Sequence, residues 1–245
     1  MCTVSVVIPA LNEEQAIAAV LSLVPEDVLA ARGFAVEKVV VDNGSTDRTA
    51  AIAREHGAVV VQESRRGYGN AYQAGFSHAT GDIIVTGDAD MTYPFDELPA
   101  LLDTFVRRDI DFMTTDRLSM LRPGVMSPMN QFGNWVLTKT MRVLFGWPFR
   151  DSQSGMWIFR RTIWPAVGAT HEGMAFSQEL KLEAYLKGYR CTEEPVTYRA
   201  RVGKVKLNAF RDGYVNMMHL FRRFLVVLRT HTPRIYRITT EGQGA

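Results

Sequence analysis

Two carboxylates one residue apart, Asp88-Ala89-Asp90, follow the hydrophobic run Ile83-Ile84-Val85-Thr86. On an extended segment residues two apart point the same way, so both can reach one cation. An oxygen-only donor set favours a hard ion, Mg²⁺ or Mn²⁺. Two acids in a turn are also an ordinary structural feature, and their place after a buried strand is what favours the metal reading. Asp42, in Asp42-Asn43-Gly44-Ser45, reads either as a turn former or as a carboxylate that accepts the imide N–H of a nucleobase. Gly67-Tyr68-Gly69 holds half of a dinucleotide fingerprint, but Tyr72 stands where the third glycine belongs. A backbone loop beside a nucleotide or a plain glycine turn remain as its readings. Other templates fail. His171-Glu172 has Ala175 in place of the second histidine of a zinc helix. A nucleophile elbow and a Walker loop are both missing, and the five histidines show no ligand spacing.

These residues need strands to present them. Thr3–Ile8, Lys38–Val41, Ala58–Val61 and Asp82–Thr86 are short apolar runs suited to strands buried on both faces. Helical spacing over Glu13–Val24, from a Thr46 cap to about His56, and near Asn70–His78 separates them. Strands alternating with helices predict crossover units and a mostly parallel sheet. In such sheets ligands bind outside the carboxyl ends of the strands. The four ends are Pro9-Ala10-Leu11-Asn12-Glu13, Asp42-Asn43-Gly44-Ser45, Arg65-Arg66-Gly67-Tyr68-Gly69 and Gly87-Asp88-Ala89-Asp90, all polar, acidic or glycine-rich. Further on, helices are expected at Pro94–Val106, Trp135–Phe145 and Ser177–Leu186, and strands at Asp111–Thr115 and Met156–Phe159. Residues 118–131, rich in Met with two prolines, read as a mobile loop.

The chain has 245 residues, 47% hydrophobic and 22% charged, which excludes disordered and fibrous classes. Two cysteines, Cys2 and Cys191, exclude a disulfide framework and suggest a reducing compartment. No apolar run approaches the ~18 residues of a membrane span, and Met1-Cys2-Thr3 lacks the features of a signal peptide. A cytoplasmic chain is expected. Residues 199–237 carry ten Lys or Arg against the single acid Asp212, within a net charge of only +2. A basic segment on an acidic body suits an anionic partner, although a solvated basic face has the same composition. Tyr214–Leu228 is too apolar for a free helix and too short to cross a bilayer. It reads as an interfacial helix or as one packed on the core or on a second subunit.

Pro9-Ala10-Leu11-Asn12-Glu13-Glu14, Asp42-Asn43-Gly44-Ser45-Thr46-Asp47 and Asp88-Ala89-Asp90 together resemble glycosyltransferase family 2, the nucleotide-sugar transferases of GT-A fold. Gly87–Pro94, Asp151-Ser152-Gln153-Ser154-Gly155 and Arg201–Leu207 are similar to its dolichol-phosphate mannosyltransferase and polyprenyl-phosphate group. The resemblance covers residues 3–215 and implies an α/β GT-A (Rossmann-like) fold, with a mostly parallel sheet flanked by helices and a helical, basic C-terminal extension. A catalytic domain is expected over 1–213 and an amphipathic helix and tail over 214–245. Carried onto this chain, the resemblance implies nucleotide-sugar contacts from Pro9, Leu11, Glu13, Asp42, Gly67 and Ala89. It places metal and sugar diphosphate at Asp88 and Asp90, and phosphates of donor or acceptor at Arg117, Arg201 and Lys206. Two positions depart from relatives: Val205 replaces a serine before Lys206, and Thr92 stands where some have glutamine. Some relatives continue into transmembrane helices, and none is expected within these residues.

The implied reaction is transfer of a hexose from a nucleotide sugar, GDP-mannose first and UDP-glucose second, to a polyprenyl or dolichyl phosphate, with inversion and with a divalent cation. A phosphomonoester with a second pKa near ~6 is largely dianionic at pH 7 and needs no protein base. Asp151 and Glu179 are the further carboxylates considered near the acceptor, Asp151 reading equally as a turn residue and Glu179 as a solvated one. The alternatives are a small soluble acceptor and a non-catalytic nucleotide-sugar or RNA-binding subunit. Nucleic acid is disfavoured, because aromatics are not interleaved with the basic residues on strands.

Overall fold

The computed structural model describes residues 1–203 and 209–229. Among them, seven strands form one sheet: β1 (Cys2–Ala10), β2 (Phe34–Asp42), β3 (Val59–Gln62), β4 (Ile83–Thr86), β5 (Phe112–Asp116), β6 (Trp157–Arg160) and β7 (Cys191–Pro195). Their order is β3-β2-β1-β4-β6-β5-β7. β1 pairs in parallel with both β2 and β4, matching Ala10 to Asp42 and Val7 to Thr86. β6 runs antiparallel to β4 and β5, and β5 and β7 are parallel. The sheet is therefore mostly parallel, as expected, with one reversed strand that the sequence pattern did not announce.

The helices are α1 (Ile17–Ser22), α2 (Glu26–Ala31), α3 (Thr49–Glu55), α4 (Tyr68–His78), α5 (Leu98–Arg107), α6 (Pro128–Phe145), α7 (Trp164–Val167), α8 (Ala175–Leu186) and α9 (Ala209–Arg229). Alternation along β1 assigns the faces. Val4, Val6 and Ile8 join a core with Ile17, Val20 and Leu21 of α1 and Leu98, Leu102 and Phe105 of α5. Val7 joins the opposite core with Ala71, Tyr72 and Phe76 of α4 and Phe176 and Leu180 of α8. A sheet covered on both faces has little room for polar residues along its strands, which is why β1 and the Val39–Val41 part of β2 read as near-continuous apolar runs. A third cluster unites Leu137, Met141 and Phe145 of α6 with Leu182 of α8 and Leu220 and Val227 of α9.

The structure corrects several expected elements. Most of the 118–131 segment is a loop, but α6 begins at Pro128, where the Ser127 Oγ accepts the Asn130 N–H at 3.2 Å. A serine cap followed by proline at the first helical position is a start signal. The helix expected over Glu13–Val24 is confined to α1, and α2 and β7 were not expected. The 213/214 boundary falls inside α9, whose first residue is Ala209.

Topology fixes the site. From β1 the chain winds to β2 and β3 on one side, then returns to β4 on the other. The strand order reverses between β1 and β4, and a crevice opens at such a switch point.

Candidate active site

A cavity of about 460 Å³ opens at that crevice. Pro9, Ala10, Leu11 and Glu13 line it from the end of β1, and Asp88, Ala89 and Asp90 from the end of β4. Gly67 and Tyr68 approach from the start of α4, Arg117 from the end of β5, and Arg201 from the segment before α9. Nine of the residues expected at the site therefore meet in one cavity: Pro9, Leu11, Glu13, Gly67, Asp88, Ala89, Asp90, Arg117 and Arg201.

The Asp88–Asp90 turn is tightly built. Met91 adopts φ of 69°, a left-handed conformation uncommon outside glycine. Asp90 is buried, and its Oδ1 accepts the Thr92 N–H at 3.0 Å and the Thr92 hydroxyl at 2.6 Å. Its Oδ2 lies 2.5 Å from Nη2 of Arg201. Thr92, at the position where some relatives have glutamine, thus holds the carboxylate in place. Asp88 differs: the Tyr68 hydroxyl donates to its Oδ1 over a long 3.5 Å. Burial, and then the charge of Asp90, push the Asp88 carboxyl up to about 7 against the pull of Arg201 and Arg117. A carboxylate that weakly bonded beside a second one is a fit for a divalent cation, which would reverse the local repulsion. No cluster of three or more His, Cys, Asp or Glu suited to a metal occurs among the described residues. Two carboxylates completed by substrate phosphates and water are nevertheless a normal Mg²⁺ donor set.

Asp151 lies behind Arg117, outside the cavity lining. It is fully buried and receives Nε and Nη2 of Arg117 at 2.7 and 2.9 Å. The Arg117 N–H, Asn134 Nδ2 and the Gln153 N–H add bonds at 3.1, 2.8 and 3.0 Å. Burial alone would raise its pKa; Arg117 overrides that and, with help from Lys181 and Asn134, holds the carboxyl at about 2. The guanidinium also lies 5.2 Å from the centre of the Tyr198 ring. Asp151 is thus a positioning residue for Arg117.

Asp42 does not line the cavity. It closes the turn after β2 by accepting the Ser45 N–H at 2.9 Å and Gln62 Nε2 at 3.0 Å. Glu179 accepts the N–H groups of Thr170 and His171, away from the cavity. Lys206 falls outside the described residues. The glycines of Gly67-Tyr68-Gly69 have a packing cause: a Cβ at Gly67 would meet the Glu172 carbonyl at 2.3 Å, and one at Gly69 the His171 carbonyl at 1.9 Å. Gly155 is similarly required, since its Cβ would sit 2.8 Å from the Tyr68 hydroxyl and 3.6 Å from Asp88 Oδ1.

Ser177, Tyr198, Asp212 and Asn216 also line the cavity and were not singled out from sequence, whereas Arg66, Tyr93 and Gln153 stand inside the strand-end and family motifs without a role assigned to them. For Asn216 a trace was present, as a polar interruption of the apolar stretch 214–228.

Residues 5–166 match the sequence model of Glycosyl transferase family 2. The chain is 39% identical over 227 residues to the low-salt glycan biosynthesis hexosyltransferase Agl6 of Haloferax volcanii, covering 92% of this chain and 53% of that protein. It thus spans about half the length of that relative. It is 35% identical over 209 residues to a dolichyl-phosphate hexose transferase of the same organism, covering 85% of this chain and 88% of that one. In structure it is similar to glucosyl-3-phosphoglycerate synthase of Mycobacterium tuberculosis, solved with Mn²⁺, UDP and glucosyl-3-phosphoglycerate. The TM-score is 0.74 at 23% identity, over 91% of this chain and 80% of that one, a likeness of fold. With the strand-end motifs gathered at one GT-A crevice and two thirds of the chain matched by the family, the chain belongs to glycosyltransferase family 2.

Proposed function

We propose that this chain transfers a hexose from a nucleotide sugar to a polyprenyl or dolichyl phosphate, with inversion at the anomeric carbon. The observation that carries the proposal is the convergence of Asp88, Asp90, Arg117 and Arg201 on one cavity at the switch point of the sheet. The dolichyl-phosphate hexose transferase relative supports the acceptor class. Pro9, Leu11 and Glu13 border the nucleoside end, while the diphosphate lies at Asp88 and Asp90. Those two carboxylates would hold Mg²⁺ or Mn²⁺, which supplies positive charge to the departing diphosphate. Arg117 and Arg201 bind phosphate oxygens through charge-assisted hydrogen bonds. Arg117 is held for that duty by its bidentate pair with Asp151. A phosphate oxygen of the acceptor forms the new bond to the anomeric carbon, and the electron pair of the broken bond leaves with the nucleoside diphosphate. The dianionic nucleophile requires no protein base, which agrees with the saturation of Asp151.

A peripheral position on the cytoplasmic face of a membrane belongs to the same proposal. No helix among the described residues is long and apolar enough to cross a membrane. α9 exposes Phe210, Tyr214, Phe221, Leu225 and Leu228, a stripe at helical spacing. Arg211, Arg222 and Arg229 on the same helix suit anionic headgroups.

Calorimetric titration with GDP-mannose and UDP-glucose, with and without Mn²⁺, tests the donor. Turnover with a short polyprenyl phosphate or with small soluble phosphorylated acids then tests the acceptor. Asp90→Ala is expected to lower turnover by at least ~100-fold. Failure of the unaltered chain to bind either sugar nucleotide overturns the proposal, and turnover with the soluble acids alone overturns its acceptor.

A further inference from the structure

Asn216 follows Asp212 by one turn of α9, and both line the cavity. Asn216 is only 6% exposed. Its Nδ2 donates to Gln153 Oε1 at 3.1 Å, and Gln153 Nε2 donates to Gln178 Oε1 at 3.1 Å. Gln178 Nε2 donates in turn to the Asn216 main-chain carbonyl at 3.1 Å. This closed ring of three amides fixes which end of the Asn216 side chain is used. The other end, Oδ1, is buried without a hydrogen-bond partner among the described residues. Buried acceptors are almost always satisfied, and leaving one unmet carries a desolvation cost. Asn216 lines the cavity, and an oriented acceptor left unmet on such a residue is suited to a ligand donor.

The geometry points to Asn216 as the residue that accepts a hydrogen bond from a hydroxyl of the donor hexose, an assignment that rests on the function proposed above. Its place along the sheet selects the hexose. Pro9, Leu11 and Glu13 follow β1, Asp88 and Asp90 follow β4, and Gln153 and Gly155 precede β6. In the order β1-β4-β6, the carboxylates lie between the nucleoside end and the Gln153–Asn216 end. Beyond the diphosphate of a sugar nucleotide comes its sugar. A neutral amide also reads a hydroxyl without placing negative charge near the diphosphate. A site built to bond a substrate hydroxyl discriminates strongly against an analogue lacking it.

The same network reaches the anion-binding arginine. Gln153 Nε2 donates to Ser152 Oγ at 2.8 Å, and the Thr138 hydroxyl lies 2.9 Å from Ser152 Oγ and 3.1 Å from Asn134 Oδ1. Asn134 then bonds Asp151, the partner of Arg117. One polar scaffold therefore orients both Asn216 and Arg117.

The test is calorimetry on the full chain with Mn²⁺, using GDP-mannose, UDP-glucose, GDP, UDP and deoxy-hexose versions of the sugar nucleotide that binds. In Asn216→Leu, sugar-nucleotide affinity is expected to fall roughly 10-fold, with affinity for the nucleoside diphosphate unchanged. One deoxy position is expected to lose a similar factor against the unaltered chain and nothing further against Asn216→Leu. Asn216→Asp, which keeps an oxygen acceptor, is expected to retain sensitivity to that position. If Asn216→Leu does not fold, the deoxy series against the unaltered chain and Asn216→Asp decides the matter. Equal losses for sugar nucleotide and diphosphate, indifference to every deoxy position, or an effect confined to the KM of the polyprenyl phosphate would each overturn the assignment. Absence of binding by any nucleotide to the unaltered chain is a different result and removes the donor reading itself.

Discussion

Five hydrogen bonds from Arg117, Asn134 and Gln153 occupy a carboxylate, Asp151, that has room for about four acceptor directions. Replacing it with asparagine removes the countercharge of a buried guanidinium and one half of a bidentate pair. Breaking a buried ion pair from one side typically costs about 3–5 kcal/mol. Asp151→Asn is therefore expected to lower the urea-unfolding free energy by roughly 3 kcal/mol and to reduce kcat through misplacement of Arg117. Unchanged stability with normal turnover would refute the positioning role. The contrast with Asp88 and Asp90 shows what was readable in single residues. Those two could be picked out because they end an apolar run, and the topology then sets them at the crevice. Asp151 could be named as a candidate, but its neighbours Asn134 and Arg117 come from α6 and the end of β5, so its role is a property of tertiary contacts. Tyr198 was invisible for the same reason, since a tyrosine in a loop carries no mark of the cavity it will line, and Tyr93 stood inside the Gly87–Pro94 motif with nothing to assign it a role.

Elements buried on both faces were the most legible, because β1 over Val4–Ile8 and β2 over Val39–Val41 are buried and almost wholly apolar. The edge strand β7, Cys-Thr-Glu-Glu-Pro, has no such constraint and carries no apolar pattern that marks a strand. The reversal of β6 was hidden because strand direction leaves no periodic signal. α9 was read as apolar overall, with both membrane and packed versions open, and the structure divides it by face. Leu220 and Val227 are buried against α6 and α8, and Arg223 pairs with Glu183 of α8. Phe221 and Leu225 point outward. The two faces call for opposite results. Leu220→Ala, a buried truncation, is expected to cost about 2–5 kcal/mol in urea unfolding. Phe221→Ser with Leu225→Ser is expected to leave that midpoint nearly unchanged while abolishing co-sedimentation with anionic vesicles. Undiminished sedimentation would assign the stripe to contact between copies of the chain, measurable as a dimer in analytical ultracentrifugation. Removing the helix outright is a poor test, because it also removes part of the third core and Asn216.

At the scale of the whole molecule, the second half of the sheet is organised around buried charge, and this shapes stability against pH. Lys181 of α8 is fully buried, with Nζ donating to the Ser154 carbonyl at 2.7 Å. Burial lowers its pKa to about 7 from an ordinary 10.5, against the attraction of Asp151 and Glu193 and with the repulsion of Arg117. Below pH 7 the lysine is protonated in both folded and unfolded chains, and the fold bears the cost of a buried cation. Between about 7 and 10.5 the unfolded chain holds the extra proton, so stability rises with pH, by up to about 1.4 kcal/mol per unit from this group. Asp151 acts at the other end of the scale: its lowered pKa stabilises the fold above about 4, and that contribution disappears as pH falls toward 2. Lys181→Met removes the first effect selectively. The Ser154 carbonyl keeps the Trp157 indole N–H at 2.7 Å and the Ser177 hydroxyl at 3.3 Å, so the loss of one donor is tolerated. Urea midpoints measured from pH 6 to 9.5 are expected to climb more steeply for the unaltered chain than for Lys181→Met. At pH 6 the variant is expected to be at least as stable, because a well-packed apolar chain has replaced a buried cation. Parallel pH profiles for the two proteins would show that Lys181 stays charged in the fold and that the cluster around Asp151 carries two cations instead of one.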